Sequence, residues 1–135
     1  MSDSSLSGRR MIMSLVKMKE LLERAQKNNI GCGAFSVGNM EMVRGAIQAA
    51  EELDTPIILQ IAEVRLKHSP LHLMGPMMVQ AAKEAKVDVA VHLDHGLTFE
   101  TVQKALELGF TSVMLDRSEE RRVGKECRSR WSPYH

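Results

Sequence analysis

The sequence predicts an α/β fold built on a parallel sheet, and three observations support this. Apolar segments of strand length, rich in Val, Ile and Leu, alternate with segments whose apolar residues recur every three or four positions. The resulting order is one helix, then strand and helix three times, then a strand, which requires parallel strands joined by right-handed crossovers. Hydrophobic residues make up 44% of the chain and aromatic residues only 4%, which is typical of an aliphatic α/β core and not of a β-sandwich.

Chain length bears on which α/β architecture is expected. The chain has 135 residues, whereas a complete (β/α)8 barrel needs roughly 250. About four strands are predicted, too few to close a barrel. An open four-stranded sheet is the alternative, but we expect such a sheet to end in a covering helix, and the last predicted element is the strand at 111–116. The sequence therefore favours, for residues 13–116, half of a larger, truncated (β/α)8 barrel.

The first half of the chain contains two predicted helices and two predicted strands. Apolar residues at three- and four-residue steps predict a helix over residues 13–29, which we expect to lie at the amino-terminal mouth of the barrel. Residues 31–37 form a short Gly-rich strand. Asn39 is placed to cap a second helix that continues to Leu53. Residues 57–61 form the next buried strand.

The second half repeats the alternation of helix and strand. Pro70, at the first helical position, opens a helix that continues to residue 85. The β-branched run at 87–96 is the length of a fully buried parallel strand. Thr98 is placed to cap a third amphipathic helix, which Gly109 ends. Residues 111–116 are the fourth strand.

The strand at 87–96 ends on two histidines that bracket a carboxylate, His92-Leu93-Asp94-His95. Because strand side chains alternate between faces, His92 and Asp94 share one face, and His95 falls where the strand becomes a loop. In α/β barrels this end of a strand is where the chemistry is placed. Each residue also has an ordinary structural interpretation: a packed or hydrogen-bonded histidine, and an aspartate that caps the next helix, although Thr98 is better placed for that.

Composition limits the compartment and the partners. The formal net charge is +1, and no apolar run approaches the ~20 residues of a membrane span, so neither a membrane nor a nucleic acid is predicted as a partner. The two cysteines, Cys32 and Cys127, form no disulfide framework and no metal-ligand spacing, which favours the cytoplasm. Residues 1–12 lack the features of a signal peptide, and we expect them to be a disordered leader.

The carboxyl-terminal tail, residues 117–135, differs from the rest of the chain. It holds six of the 18 Lys and Arg and three of the 17 Asp and Glu, so the first 116 residues have 12 bases and 14 acids. The tail has neither strand nor helix periodicity. Along its whole length it resembles the translation of a synthetic sequencing adapter. Our hypothesis is that the native sequence was cut at Asp116 and that the tail is an artefact.

The four strand ends, read together, resemble the class II (zinc-dependent) ketose-bisphosphate aldolases, the fructose- and tagatose-bisphosphate family. The similarity covers residues 13–116 and rests on four segments of the sequence, 33–39, 56–60, 91–96 and 109–116. The resemblance implies a (β/α)8 barrel of which this chain supplies the amino-terminal half. Two positions depart from the family pattern: Ser36 stands where Asn is common, and Ala62 where many members have Ser or Thr.

The resemblance also implies functional roles for three residues. Asp94 takes the position of the catalytic acid/base, His95 that of a zinc ligand, and Asp116 that of an acidic group near the metal, which makes Asp116 a second predicted metal residue. The implied reaction is the reversible cleavage of a phosphorylated ketose into dihydroxyacetone phosphate and an aldehyde, with Zn2+ as cofactor. The implied parent is a homo-oligomeric enzyme of carbohydrate metabolism. The other zinc histidines and the phosphate loops lie in the absent half, so we expect this chain alone to be inactive.

Two other functions remain open at this point. The chain is alternatively a complete small α/β binding domain, or part of a metal-dependent phosphohydrolase that uses the same histidines and aspartate. Aldol chemistry through a lysine Schiff base is not predicted, because no predicted strand ends on a lysine and Lys67 lies in a polar loop.

Overall fold

The computed structural model describes residues 14–116, and the predictions about residues 1–12 and 117–135 lie outside this range. Four parallel strands form one sheet in the order β1-β2-β3-β4, which confirms the predicted α/β class. The strands are β1 (Gly33–Ser36), β2 (Ile57–Ala62), β3 (Val89–Gly96) and β4 (Ser112–Leu115). The helices are α1 (Met18–Lys27), α2 (Met40–Glu52), α3 (Leu71–Glu84) and α4 (Phe99–Glu107), with a 3-10 helix at Glu63–Lys67.

The main hydrophobic core lies between one face of the sheet and the helices α2, α3 and α4. Alternate residues of the central strands β2 and β3, such as Leu59 and Leu93, point into it and have no exposed surface. Val43, Met78 and Ala105 supply the helix side of this core. We call this the packed face; it holds β3 in the middle of the sheet, with hydrogen-bonded neighbours on both sides.

The first helix is shorter than predicted, and its start is a correction to the sequence analysis. Residues 14–16 are extended: the Val89 amide donates to the Ser14 carbonyl (2.7 Å), the Val16 amide donates to the Val89 carbonyl (3.0 Å), and Leu15 forms a parallel bridge with Val89. These bonds use backbone groups at the start of β3, and this tertiary pairing overrides the helical spacing of the apolar residues. The helix α1 therefore begins at Met18.

The helix α1 lies on the opposite face of the sheet from the other helices, which we call the open face. Leu21 of α1 packs on Ile58 and Ala90, near the amino-terminal ends of their strands. Arg24 pairs with Asp88 at 2.5 Å. This placement at the amino-terminal ends agrees with the predicted position of the first helix, and it leaves the carboxyl ends of the strands uncovered by α1.

The predicted helix caps at Asn39 and Thr98 are confirmed. The Asn39 side chain accepts a hydrogen bond from the Met42 amide (2.9 Å), and the Thr98 hydroxyl accepts one from the Thr101 amide (3.2 Å). Pro70 is the N-cap residue of α3 and not its first helical residue, so the helix begins one residue later than predicted, at Leu71. Within residues 14–116, no helix has the length and apolar character needed to cross a bilayer.

Candidate active site

The open face carries a row of polar side chains that crosses all four strands. Ser36 is in register with Gln60, Gln60 with His92, and His92 with Ser112. The Gln60 amide donates to the Ser36 hydroxyl at 3.1 Å, and His92 Nδ1 lies 2.9 Å from the Ser112 hydroxyl. We call these four residues the polar row; it lies one step along the strands from the apolar contacts beneath α1.

Asp94 lies next along β3 on the same face, as predicted. The Gln60 amide donates to one of its carboxylate oxygens at 3.5 Å, and His92 Nε2 lies 4.0 Å from the other. Burial lowers the pKa of His92, although the negative charge of Asp94 acts in the opposite direction. His92 is therefore neutral near pH 7; its ring is hydrogen-bonded to Ser112 and lies beside the carboxylate at 4.0 Å, beyond hydrogen-bond distance. Ala62, in register with Asp94, leaves this part of β2 without a hydroxyl.

His95 lies beside Asp94 because of a β-bulge. Adjacent strand residues normally point to opposite faces, but the register of β3 with β4 shifts between Leu93 and Gly96, and His95 has a φ of 48°. The bulge turns the ring back, so that its Nε2 lies 3.9 Å from an Asp94 oxygen. A Cβ on Gly96 would stand 2.7 Å from the Met114 carbonyl oxygen, so the close approach of β4 requires glycine there. The bulge was not predicted; glycine directly after His95 was the available signal.

The other ring nitrogen of His95 contacts the end of β4. Its Nδ1 lies 2.9 Å from a carboxylate oxygen of Asp116, which joins the third predicted site residue to the cluster. The hydrogen bond to Asp116, and next the charge of Asp94, raise the pKa of His95. The His95 side chain is 54% exposed, so the ring is open to solvent.

The fit of these residues to a metal ion is partial. A metal-binding histidine commonly gives its other ring N–H to a carboxylate, which fixes the tautomer and the ring orientation, and the His95–Asp116 pair has this arrangement. Among the described residues, however, no group of three or more His, Cys, Asp or Glu side chains is placed to hold an ion. The residues therefore fit one oriented ligand of a metal centre and do not make up a complete one. That Asp116 is itself a ligand stays a prediction.

Comparison with known proteins bears on what this cluster belongs to. The family model for fructose-bisphosphate aldolase class II matches residues 16–123, most of the chain. The chain belongs to this family. The resemblance stated from the sequence is thus confirmed at the level of the family.

Two curated relatives show how much of a class II aldolase the chain covers. It is 47% identical over 106 residues to the fructose-bisphosphate aldolase of Thermus caldophilus, matching 78% of this chain and 34% of that protein. It is 39% identical over 106 residues to the sulfofructosephosphate aldolase of Alkalicoccus urumqiensis, matching 78% of this chain and 37% of that protein. The chain thus spans about one third of the length of the curated relatives it matches.

A solved structure supports the fold assignment. The crystal structure of the YdjI aldolase from Escherichia coli K12 superposes with a TM-score of 0.74 at 31% identity, over 78% of this chain and 40% of that one. Four parallel strands that match this share of an aldolase agree with the amino-terminal half of a barrel. The predicted fold class is therefore confirmed.

Proposed function

We propose that this chain supplies the acid–base group and one metal ligand of an aldolase centre, which reversibly cleaves a phosphorylated ketose into dihydroxyacetone phosphate and an aldehyde. The observation that carries the proposal is the bulge at the end of β3, which brings the His95 ring to 3.9 Å from the Asp94 carboxylate. Family membership supports the reaction class. One imidazole is too few for a catalytic zinc site, which uses three protein ligands, so we expect the chain alone to be inactive.

The proton transfer is assigned to Asp94. In aldol cleavage the carbon–carbon bond breaks, its electron pair moves toward the ketose carbonyl, and the hydroxyl of the departing carbon loses its proton as it becomes the aldehyde carbonyl. Asp94 accepts that proton in cleavage and returns it in condensation, and the ketose fragment that received the electron pair takes up a proton at carbon to give dihydroxyacetone phosphate. Gln60 donates to the carboxylate and neutral His92 lies beside it, so both neighbours restrict its orientation.

The metal-binding role is assigned to His95. Asp116 accepts from Nδ1 and so keeps Nε2 available on the side of the ring that faces Asp94. When bound at such a centre, zinc acts as a Lewis acid that accepts electron density from a carbonyl oxygen. In this geometry Asp116 serves to orient the ring of the ligand, since its contact is with the opposite ring nitrogen.

The proposed substrate class is a phosphorylated ketose. The relatives include proteins named for fructose bisphosphate and for sulfofructose phosphate, which supports this class and the place of the reaction in carbohydrate metabolism. Ala62, in register with Asp94, offers no hydroxyl at this strand end, so we expect no side-chain hydrogen bond from this position to the substrate.

A chimera tests the proposal directly. Residues 16–116 replace the matched segment of the Thermus caldophilus aldolase, and cleavage of fructose 1,6-bisphosphate is measured with and without a zinc chelator. We expect turnover that the chelator abolishes and that His95→Ala also abolishes, whereas Glu84→Ala, on the exposed surface of α3, leaves turnover unchanged. A folded chimera that retains turnover after His95→Ala contradicts the assignment of His95.

A further inference from the structure

Glu63 is the first residue after β2, and its carboxylate bonds to the loop that follows β3 with one oxygen and to the first turn of α4 with the other. One oxygen accepts from the backbone amides of Leu97 and Thr98, the latter at 3.3 Å, and the other accepts from the Thr101 hydroxyl at 2.9 Å. These contacts join residues 34 to 38 positions apart in sequence. A side chain from one strand end thus holds the loop of its neighbour.

The end of β3, directly before this loop, is held on its other side by the end of β4. The Asp116 amide donates to the Gly96 carbonyl at 2.7 Å, and the Asp116 carboxylate contacts His95 Nδ1. The backbone of the segment that presents His95 is therefore bonded to both flanking strand ends. Glu63 provides the contact on the β2 side.

One of the Glu63 bonds goes beyond helix capping. The helix α4 begins at Phe99 with Thr98 as its N-cap, and Thr98 already accepts from the Thr101 amide. The Leu97 amide lies one residue before the cap, so its bond to Glu63 fixes the loop and not the helix end. His95 lies two residues before Leu97, at the end of β3, and has a φ of 48°, a conformation that a residue with a Cβ keeps only where its surroundings impose it.

We propose that Glu63 is a positioning residue for His95. By holding Leu97 and Thr98, it stabilises the bulge that keeps the His95 ring between Asp94 and Asp116. The chemical use of this positioning rests on the proposed function, in which His95 is a metal ligand. The positioning itself is a property of the described residues and is measured without metal or substrate.

The test is the tautomer of His95 in the full 135-residue chain, read from the 15N signals of the ring at a pH where the imidazole is neutral. In the wild-type chain, we expect a single tautomer with hydrogen on Nδ1, because Asp116 accepts it. In Glu63→Ala, we expect this pattern to be lost and the two nitrogen signals to converge, together with faster hydrogen exchange at Leu97. Glu63→Gln keeps an acceptor oxygen for the two amides and should restore the single tautomer.

The matched control is Glu84→Ala, which removes an exposed glutamate bonded to Gln80 on α3 and should leave the His95 signals unchanged. If Glu63→Ala speeds exchange at Leu97 but keeps the wild-type tautomer, Glu63 is an ordinary cap and the proposal is overturned. Failure of Glu63→Gln to restore the tautomer overturns it as well. If Glu63→Ala does not fold, Glu63→Asp, which keeps the charge but shortens the reach, takes its place and must lose the single tautomer.

This experiment separates the two proposals. A chimera without zinc-dependent turnover contradicts the proposed function and leaves the tautomer result standing. Conversely, if the His95 tautomer is the same in Glu63→Ala as in the wild type, Glu63 has no positioning role, and the roles assigned to His95 and Asp94 are unaffected.

Discussion

The two faces of β3 differ in what their residues do, and Leu93 and Asp94 show the difference in adjacent positions. Leu93 points to the packed face, has no exposed surface and lies in the main core. Asp94 points to the open face, where the Gln60 amide and the His92 ring are its neighbours. Because side chains alternate along a strand, one strand holds the sheet in the core and presents a carboxylate at the same time. Residues such as Leu93 thus contribute to the stability of the core, and the alternate residues, such as Asp94, present polar groups on the open face.

The open face is itself divided along the strand direction. Near the amino-terminal ends, α1 covers it through apolar contacts of Leu21 with Ile58 and Ala90. Toward the carboxyl ends the polar row replaces these contacts, and the titratable residues follow. A polar group on a sheet face needs hydrogen-bond partners, and the row meets this need by bonding its members across neighbouring strands. The result is a supported carboxylate at an uncovered strand end.

The largest expected effect comes from Asp94→Asn in the chimera with the Thermus caldophilus aldolase. Asparagine keeps the size and can still accept from Gln60, but it cannot take up a proton as a carboxylate does. Loss of a general acid–base group lowers turnover by about 10²–10⁴-fold. Steady-state kinetics should show this loss in kcat. Because Asp94 lies outside the packed face, the unfolding midpoint should change little, and a chimera with unchanged kcat would remove Asp94 from the mechanism.

Leu93→Ala, one residue away, should give the opposite pattern. Removing a fully buried leucine leaves a cavity in the main core and lowers the free energy of unfolding by about 2–5 kcal/mol. Urea unfolding followed by circular dichroism measures this in the full chain. Leu97→Ala is the matched control, since Leu97 is 51% exposed and its truncation should cost far less. Equal losses for both variants would contradict the division between the two faces.

The sequence predicted the parts of the fold that local rules determine. Helix caps at Asn39 and Thr98 follow from side-chain chemistry, and the alternation of His92 and Asp94 follows from strand geometry. The bulge at His95 depends on how β4 pairs with β3, and its one local signal, the glycine after His95, does not by itself specify a bulge. Tertiary pairing likewise explains why Leu15, with helical spacing in the sequence, lies in an extended segment bonded to β3.

The cross-strand contacts of the site could not be predicted from the sequence either, because they also depend on how the strands pair. The register between strands decides that Gln60 lies level with His92 and next to Asp94, and that Glu63 reaches the loop after β3. Asp116 was expected near the metal, and the structure adds that its carboxylate contacts Nδ1 of His95. The identity of these residues is visible in the sequence, but their partners are set by the sheet.

The next largest effect is expected from Asp116→Ala, which tests how the carboxyl end of the open face supports the His95 ring. The variant removes the carboxylate that fixes the His95 ring, and loss of such a partner typically weakens metal binding by about 10–100-fold. Zinc affinity of the chimera, measured by competition with a chelating dye, should fall by this amount. Asp116→Asn retains an acceptor for Nδ1 and should recover part of the affinity, whereas an unchanged affinity in the alanine variant would show that the contact does not support the ligand.

The smallest effect is expected from Thr98→Ala, which concerns the start of α4 and not the carboxylate cluster. The variant removes the hydroxyl that accepts from the Thr101 amide, and loss of such a cap typically lowers the free energy of unfolding by ~1 kcal/mol. Asn39→Ala, at the start of α2, removes the equivalent bond to the Met42 amide and should cost a similar amount in urea unfolding. The two caps differ in one respect: Glu63 also accepts from the Thr98 amide, so α4 keeps a second contact at its first turn. If Thr98→Ala lowers the free energy of unfolding clearly less than Asn39→Ala does, the contact with the Glu63 carboxylate partly replaces the lost cap. If Thr98→Ala lowers it more, the contact with Glu63 does not replace the cap and depends on the Thr98 hydroxyl.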